Sequence, residues 1–300
     1  MTYTKILWSL IGFIFLVDTV WVSLGSFQFY YNLKDLFLQF LFLCSLFLPY
    51  VFYKTFRPDP RIVSLLESIV FLFTLITAML VLSYLVATLR FPLIDAQLVA
   101  IDEAFGIKVP ALDFWFRNHL EWRRLFVYIY NAYLIQFPLI IFYFSFFDKV
   151  TVLQRFLMQV MIAALLTNFI SGILPASGPY TWYGYTPNKE LALALKQLLL
   201  LRENIVDIRT TSGIVTFPSF HSIMALLYTY TFRNEPKYIF IPILLLNLLV
   251  IFACIPIGEH YFADILGAVP IFFIAIGCER LLFFYTTSDS NQELRRNNYK

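Results

Sequence analysis

Two short sequences, Phe217-Pro-Ser-Phe-His-Ser222 and Glu259-His-Tyr-Phe-Ala-Asp264, flank two apolar segments, residues 221–232 and 238–257. Between them they hold two of the three histidines of the chain. A chain that crosses a membrane twice returns to the side it left. If both apolar segments are membrane spans, the two histidines therefore lie on the same side and are able to share a site.

The composition of the whole chain favours membrane spans. Of the 300 residues, 60% are hydrophobic and 14% are charged, which is too little polar surface for a soluble domain of this length. Apolar runs of about 20 residues recur, and each is long enough to cross ~30 Å of hydrocarbon. The sequence predicts an all-α, polytopic helical membrane protein with about eight spans: 6–24, 35–53, 62–89, 125–147, 152–174, 221–232, 238–257 and 262–284.

The distribution of polar residues predicts three parts. Residues 1–61 form two N-terminal transmembrane helices and a basic loop, residues 62–285 form the main transmembrane domain, and residues 286–300 form a disordered polar tail. The net charge of +3 and the lack of an arginine-rich run argue against a nucleic-acid partner. The cysteines, Cys44, Cys254 and Cys278, fall in apolar spans and are expected to be packing residues, with no metal or cofactor implied.

Positive charges in short loops predict the orientation, because cytoplasmic loops are enriched in lysine and arginine. With a cytoplasmic N-terminus, the cytoplasmic side holds most of the basic residues of the short loops and the tail: Lys5, Lys54, Arg57, Arg61, Lys149, Arg155, Arg233, Lys237, Arg295, Arg296 and Lys300. Both histidine motifs then lie at the non-cytoplasmic face, which in a bacterium is the outer face of the cytoplasmic membrane.

Residues 92–106, in the first long loop, predict a short interfacial helix. Their apolar residues have helical spacing, with the acids Asp95, Asp102 and Glu103 expected on the opposite face, and Gly106 ends the helix. The helix either lines a path for lipids to the site or is simply solvated at the membrane surface.

The spacing of His260 and Asp264 predicts a nucleophile. The two residues are four apart and lie on one face of a helix, so the carboxylate accepts the Nδ1 proton and leaves Nε2 free to attack phosphorus. His221 then protonates the leaving oxygen. An aspartate within an apolar span is costly and is usually functional. His119 lies in a polar loop without a motif and is expected to be a surface residue.

A phosphate group also requires donors and positive charge. Ser219 lies where a loop becomes a helix, and backbone N–H groups there favour an anion. Arg202 and Arg209, in the second long loop, are the candidates for the counter-charge. Phe220 and Gly178 complete the predicted phosphate-binding set.

The motifs Pro218-Ser-Phe-His221 and His260-Tyr-Phe-Ala-Asp264 resemble the second and third signatures of the type 2 phosphatidate phosphatase superfamily. They are most similar to its branch with the inositol phosphorylceramide and sphingomyelin synthases. The resemblance covers residues 62–284. It implies a six-span lipid-phosphatase-like core without a metal, in which His260 becomes phosphohistidine, Asp264 orients it, His221 is the acid and then the base, and Ser219 holds a phosphate oxygen.

The sequence also departs from the superfamily pattern. Phe220 replaces the usual glycine, Cys254 stands where an arginine usually precedes the nucleophile, and the first signature is not found before His221. Arg57-Pro58 lies too early and on the other side of the membrane. These departures favour the synthase-like branch and leave water or a lipid or inositol hydroxyl as the acceptor.

We therefore expect an integral-membrane lipid phosphatase or phosphotransferase with a phosphohistidine intermediate. Its substrate is expected to be a lipid phosphate of the phosphatidate, prenyl phosphate or phosphosphingolipid class. Two alternatives are a lipid-phosphate binding protein or transporter that has lost its chemistry, and a proton-coupled carrier that uses Asp264 and the histidines as a relay.

Overall fold

The computed structural model describes residues 3–186, 188–257 and 259–297, with side chains up to residue 285. The described chain forms α-helices and two short strands. The helices are α1 Tyr3–Leu24, α2 Leu33–Thr55, α3 Pro60–Ala87, α4 Asp95–Ala104, α5 Val109–Asn118, α6 Leu120–Phe146, α7 Val150–Ile173, α8 Pro179–Trp182, α9 Lys189–Arg202, α10 Phe220–Thr231, α11 Lys237–Ala253 and α12 Phe262–Asn297; the strands are β1 Gln28–Tyr30 and β2 Ile205–Asp207.

Within the described residues, six helices are long and apolar enough to cross a membrane: α1, α2, α3, α6, α7 and the 262–285 part of α12. Helix α11 is a shorter apolar helix of 17 residues, about 26 Å long, and α10 has 12 residues, about 18 Å. The eight predicted spans therefore correspond to eight helices, of which six have full spanning length. A turn joins α10 to α11, so the start of α10 and the end of α11 lie on the same side.

Several helices begin at side-chain caps that the sequence supplies. Asp59 accepts hydrogen bonds from two backbone N–H groups of the first turn of α3, and Pro60 follows at the first helical position. Asn32 and Asn188 cap α2 and α9 in the same way. These caps satisfy N–H groups that have no partner within the helix, and they fix where each helix leaves the loop.

The largest core joins helices from both ends of the chain. Leu7 and Ile11 of α1 pack in the same buried cluster as Phe71 of α3, Phe156 of α7 and Tyr228 of α10. Helix α1 thus shares the core of the segment 62–285, from which the sequence analysis separated it. Helix α2 has no buried residue and lies against α3.

Two features of the fold differ from the sequence analysis. Strand β1, after α1, pairs in parallel with β2, after α9, in the register Phe29 to Val206, and a pair of three-residue strands has too short a pattern to be predicted. The segment expected as a disordered tail continues α12 to Asn297, because its Gln, Glu, Leu and Arg residues are good helix formers. Residues 298–300 of that predicted tail lie outside the described residues.

Candidate active site

Asp264 lies in the first turn of α12, whereas His260 lies two residues before this helix and not within it, as the sequence analysis expected; both are buried. Asp264 Oδ2 is 3.1 Å from His260 Nδ1 and also accepts a hydrogen bond of 2.9 Å from the Tyr261 backbone N–H. The carboxylate therefore holds the proton of His260 on Nδ1 and leaves the lone pair on Nε2. The second carboxylate oxygen, Oδ1, is buried and has no partner among the described residues.

His221 lies in the first turn of α10 and faces His260. Its Nδ1 is 3.4 Å from His260 Nε2 and 2.9 Å from the hydroxyl of Tyr130. The Tyr130 ring stacks on the imidazole at 4.2 Å between centroids, and Tyr133 contacts it edge-on at 4.4 Å. Two tyrosines of α6 thus fix the His221 ring. Neither was singled out from the sequence, because α6 reads there as an ordinary aromatic-rich span.

Ser219 connects the two histidine motifs. Its hydroxyl caps α10 by accepting from the Ser222 backbone N–H at 3.3 Å and from the Ser222 hydroxyl at 3.1 Å, and its own N–H donates to the Asp264 carbonyl at 3.1 Å. It is fully buried and is not among the residues that line the cavity described below. The hydroxyl predicted to hold phosphate is thus engaged as a helix cap.

Cys254 lies beside Ser219, and it occupies the position where the superfamily pattern usually has an arginine before the nucleophile. Its sulfur is 3.9 Å from Ser219 Oγ and 3.7 Å from Ser222 Oγ, and its carbonyl accepts from the His260 N–H at 3.2 Å. A neutral thiol therefore occupies a fully buried position close to both motifs.

The two arginines predicted to supply counter-charge lie elsewhere. Arg202 donates to the carbonyl of Phe91 at 2.9 Å. Arg209 forms a two-pronged ion pair with Asp207 at 2.9 and 2.7 Å and lies over the ring of Tyr30. These contacts join loops on the histidine side. Neither arginine is a lining residue of the cavity among the residues described.

Gly178 lies in the turn after α7, with φ of 97°, in the left-handed region that favours glycine. A Cβ atom here would lie 3.0 Å from the ring of Tyr180. The Gly178 N–H donates to Asp95 Oδ1 at 3.0 Å, and the Ser177 N–H donates to both oxygens of the same carboxylate. Gly178, which was predicted to be part of the phosphate-binding set, thus uses its backbone N–H to bind a side chain of α4.

Helix α4 differs from the interfacial helix that was predicted. Asp95 and Asp102 were expected on a solvated face, but they are 3% and 0% exposed and share the buried face with Leu98. Asp102 accepts from the backbone N–H groups of Phe262 and Ala263, at 3.1 and 2.8 Å. The acids turn inward because the first N–H groups of α12 need acceptors.

Asp95 and Asp102 together hold the site from one helix. Asp95 also accepts the hydroxyl of Tyr261 at 2.9 Å. The two carboxylates are seven residues apart, which places them on one face of α4. One binds the turn after α7 and the other binds the start of α12, so α4 fixes the segment between His260 and Asp264. Burial raises the pKa of Asp102, and its two backbone hydrogen bonds oppose that rise.

A cavity of about 780 Å³ extends from the histidines between the helices. At the histidine end it is lined by polar and aromatic side chains, which are Tyr130, Tyr133, Ser177, Thr216, His221, Glu259 and His260, together with Phe220. Farther in, its walls are apolar residues of α3, α6 and α9. The cavity joins a polar end to an apolar chamber, as a site for an amphipathic molecule does.

Glu259 gives the polar end a titratable carboxyl. Burial raises the pKa of Glu259, while its hydrogen bond with Tyr130 and its attraction to His260 and Arg123 lower it. Arg123 attracts the Glu259 carboxylate electrostatically. Its guanidinium also donates a hydrogen bond of 3.4 Å to Asp113 Oδ1. Groups of three or more His, Cys, Asp or Glu side chains arranged to hold a metal were not found in the described part of the chain.

His119 occupies the boundary between α5 and α6. Its ring stacks on Trp115 at 4.1 Å, and its Nδ1 is 2.7 Å from the Trp115 carbonyl. It is exposed and does not line the cavity, so it is the histidine that the structure leaves outside the site.

Comparison with known proteins places this arrangement in a family. The family model of the PAP2 superfamily matches residues 96–278, which is more than half of the chain and includes α4 after its first residue and both histidine motifs. The protein is therefore a multi-pass helical membrane protein that belongs to the PAP2 superfamily. Neither the curated proteins nor the solved structures that were compared gave a match. The inositolphosphotransferase-like branch stays a prediction.

Proposed function

We propose that the protein is an integral-membrane lipid phosphatase or phosphotransferase that works through a phosphohistidine on His260. The observation that carries the proposal is the 3.4 Å contact between His260 and His221, with His260 backed by the buried Asp264 at one end of an apolar cavity. Membership of the PAP2 superfamily supports phosphatase-type activity in general.

In the first half-reaction, substrate phosphate replaces the contact between the two imidazoles. His260 Nε2 attacks phosphorus, and the N–P bond forms as the bond from phosphorus to the lipid oxygen breaks. His221 donates its proton to the leaving oxygen. The positive charge on the His260 ring is stabilised by Asp264, which keeps the Nδ1 proton.

In the second half-reaction, an acceptor hydroxyl attacks the phosphohistidine. His221 removes the proton of the acceptor, the N–P bond breaks, and its electron pair returns to His260 Nε2. Water as the acceptor gives inorganic phosphate, and an alcohol gives a new phosphate ester. The two outcomes share every residue named so far, and they differ only in what reaches the phosphohistidine.

The phosphate-binding set in this proposal differs from the one predicted from sequence. The contacts of Arg202 and Arg209 do not support a role for them in the cavity. The hydroxyl groups of Tyr130, Ser177 and Thr216 line its polar end and supply donors there. Arg123, which attracts the Glu259 carboxylate, is our candidate for the cation at this end.

We place the site at the non-cytoplasmic face. The short turns at the other end of the helices carry basic residues, and Arg61 pairs there with Asp148, Lys149 with Glu235 and Arg155 with Glu279. Most of the basic residues at the histidine end lie in the two longer loops. This distribution follows the positive-inside rule and supports a cytoplasmic location for that end.

The test is a turnover and trapping experiment with the purified protein in detergent. Phosphatidate, a prenyl phosphate and ceramide 1-phosphate are each offered with and without an alcohol acceptor. We expect His260→Ala to abolish turnover and acid-quench trapping of a phosphoenzyme, and His221→Ala to slow both half-reactions. His119→Ala is the matched control and keeps wild-type turnover.

Each outcome has a distinct meaning. Free phosphate identifies a phosphatase, and a new phosphate ester without free phosphate identifies a phosphotransferase. Tight binding of lipid phosphate without turnover or trapping would instead indicate the binding protein or transporter. Wild-type turnover by His260→Ala would contradict the mechanism.

A further inference from the structure

The apolar chamber contains one polar spot that the mechanism does not use. Thr167 of α7 lines the cavity and is 2% exposed, yet its hydroxyl has no hydrogen-bond partner among the described residues. Most threonines in the described helices, such as Thr229, donate to the carbonyl four residues earlier. A buried hydroxyl without a partner loses about 1–3 kcal/mol of hydration that nothing in the protein replaces. Such a group calls for an explanation.

Asn168, the next residue, extends the spot. It also lines the cavity and is 5% exposed. Its amide Nδ2 donates to the Met79 carbonyl at 3.1 Å, which fixes the side chain against α3. No donor within the described residues reaches its Oδ1. The pair thus offers a fixed acceptor beside a free hydroxyl, which both donates and accepts.

The pair lies on the helix that leads to the polar end of the cavity. Thr167 is six residues from the end of α7 at Ile173, about 9 Å along the helix axis. That end of α7 leads into the turn at Ser177, which lines the polar end of the cavity together with the histidines. In the proposed function the phosphate contacts His260 and the tails fill the chamber, so Thr167, which lines the same cavity, faces a part of the lipid beyond the phosphate.

We propose that Thr167 and Asn168 form a subsite for a carbonyl, amide or hydroxyl group that lies beside the phosphate ester of the lipid. The inference rests on the proposed function and adds a specificity determinant to it. Thr167 donates to an ester or amide carbonyl, and Asn168 Oδ1 accepts from an amide or hydroxyl. Plain alkyl and prenyl phosphates have no such group, so they leave the Thr167 hydroxyl and Asn168 Oδ1 without hydrogen-bond partners.

The test compares phosphatidate with its diether analogue, which lacks only the two carbonyl oxygens. Wild-type protein should prefer the diester by about tenfold in kcat/KM, the factor of one hydrogen bond to a buried hydroxyl. Thr167→Val, which keeps the shape and removes the hydroxyl, should bring this ratio close to one, and Thr167→Ser should retain it. Both substrates are measured on the same preparation, so any loss of folded protein cancels in the ratio.

Thr77→Val is the matched control, because Thr77 is an exposed threonine of α3 that donates to Phe73 and does not line the cavity. It should keep the wild-type ratio. Ceramide 1-phosphate identifies the group: an effect of Thr167→Val on phosphatidate alone assigns the ester carbonyl, and an effect on ceramide phosphate alone assigns the amide or hydroxyl.

Two results overturn the subsite. A wild-type ratio near one, or an unchanged ratio in Thr167→Val, removes it when Thr167→Val also leaves turnover of ceramide 1-phosphate unchanged; turnover itself then leaves the proposed function standing. Absence of turnover and of a phosphoenzyme with all three lipids removes the proposed function and the subsite with it.

Discussion

Replacing Asp102 with asparagine tests whether α4 positions the catalytic segment. The carboxylate accepts from the Phe262 and Ala263 N–H groups at 3.1 and 2.8 Å, and it does not line the cavity. Asparagine keeps one acceptor and turns an NH₂ group toward the other N–H. One hydrogen bond to a charged group contributes about 1.5–3 kcal/mol, so we expect the free energy of unfolding to fall by about that amount.

The same substitution should lower kcat more than it raises KM. The segment that leads into α12 carries His260 and Asp264, and a displacement on the order of 1 Å costs about 100-fold in rate. We expect kcat to fall about 10-fold to 100-fold with KM nearly unchanged, because Asp102 does not touch the cavity. Turnover of phosphatidate in detergent gives both constants, and thermal unfolding followed by labelling of the buried Cys254 gives stability in a background without Cys44 and Cys278.

Glu103→Gln is the matched control, since Glu103 is the next residue of α4 and is exposed. It should leave kcat and thermal stability at the wild-type values. If both substitutions lowered kcat and stability equally, the cause would be the lost negative charge on α4 and not the hydrogen bonds of Asp102. Wild-type kcat in Asp102→Asn would refute the positioning role.

Three further predictions concern stability. Gly178→Ala should cost about 1–2 kcal/mol, because its φ of 97° is unfavourable for alanine and its Cβ would meet a tyrosine ring, whereas Gly277→Ala, at an open position within α12, should be neutral or stabilising by thermal unfolding. Glu279→Gln breaks a buried two-pronged ion pair and should cost about 3–5 kcal/mol, whereas Asp148→Asn, which breaks an exposed pair, should cost less than about 1 kcal/mol in the same assay. Burial raises the pKa of Glu259 in the folded protein, so the stability that the protonated carboxyl contributes is complete below the ordinary carboxyl pKa and is lost as the pH rises through the raised pKa. Glu259→Gln should remove this pH-dependent loss from a plot of melting temperature against pH. An unchanged plot would contradict the effect of burial on Glu259.

The parts of the site that the sequence predicts are those with a local pattern. The predicted pairing of His260 with Asp264 is present, but His260 lies two residues before α12, so the turn at the helix start, and not two positions of one helix, brings the side chains together. His221 reaches them because two apolar helices return the chain to the same side, even though α10 is only 12 residues long. In both cases the spacing along the chain determines the distance in space.

The parts that could not be predicted depend on which buried groups lack partners. Asp95, Asp102 and Arg202 are polar residues in surface loops by composition, and nothing in their spacing indicates a partner. Asp95 and Asp102 are drawn inward by the free N–H groups of a turn and of a helix start. Arg202 binds the carbonyl of Phe91, at the loop that follows α3. Such long-range backbone contacts leave no periodic signal in the sequence.

The buried acids argue against both roles considered for α4, a wall of a lipid path and a helix solvated at the membrane surface. If α4 moved aside to admit a lipid, the first N–H groups of α12 and the turn at Ser177 would lose their carboxylate acceptors, Asp102 and Asp95, where the membrane offers few replacements. No residue of α4 lines the cavity among the residues described, whereas α3, α6 and α9 supply its apolar walls. A hydrogen bond from Gln197 to Tyr84 joins α9 to α3, and Ser64 and Ser145 join α3 to α6, whereas no hydrogen bond joins α6 to α9 within the described residues. Separating α6 from α9 in lipid therefore exposes mainly apolar surface that lipid tails cover. We therefore propose that a lipid substrate enters between α6 and α9, while α4 stays in place and holds the segment that carries His260.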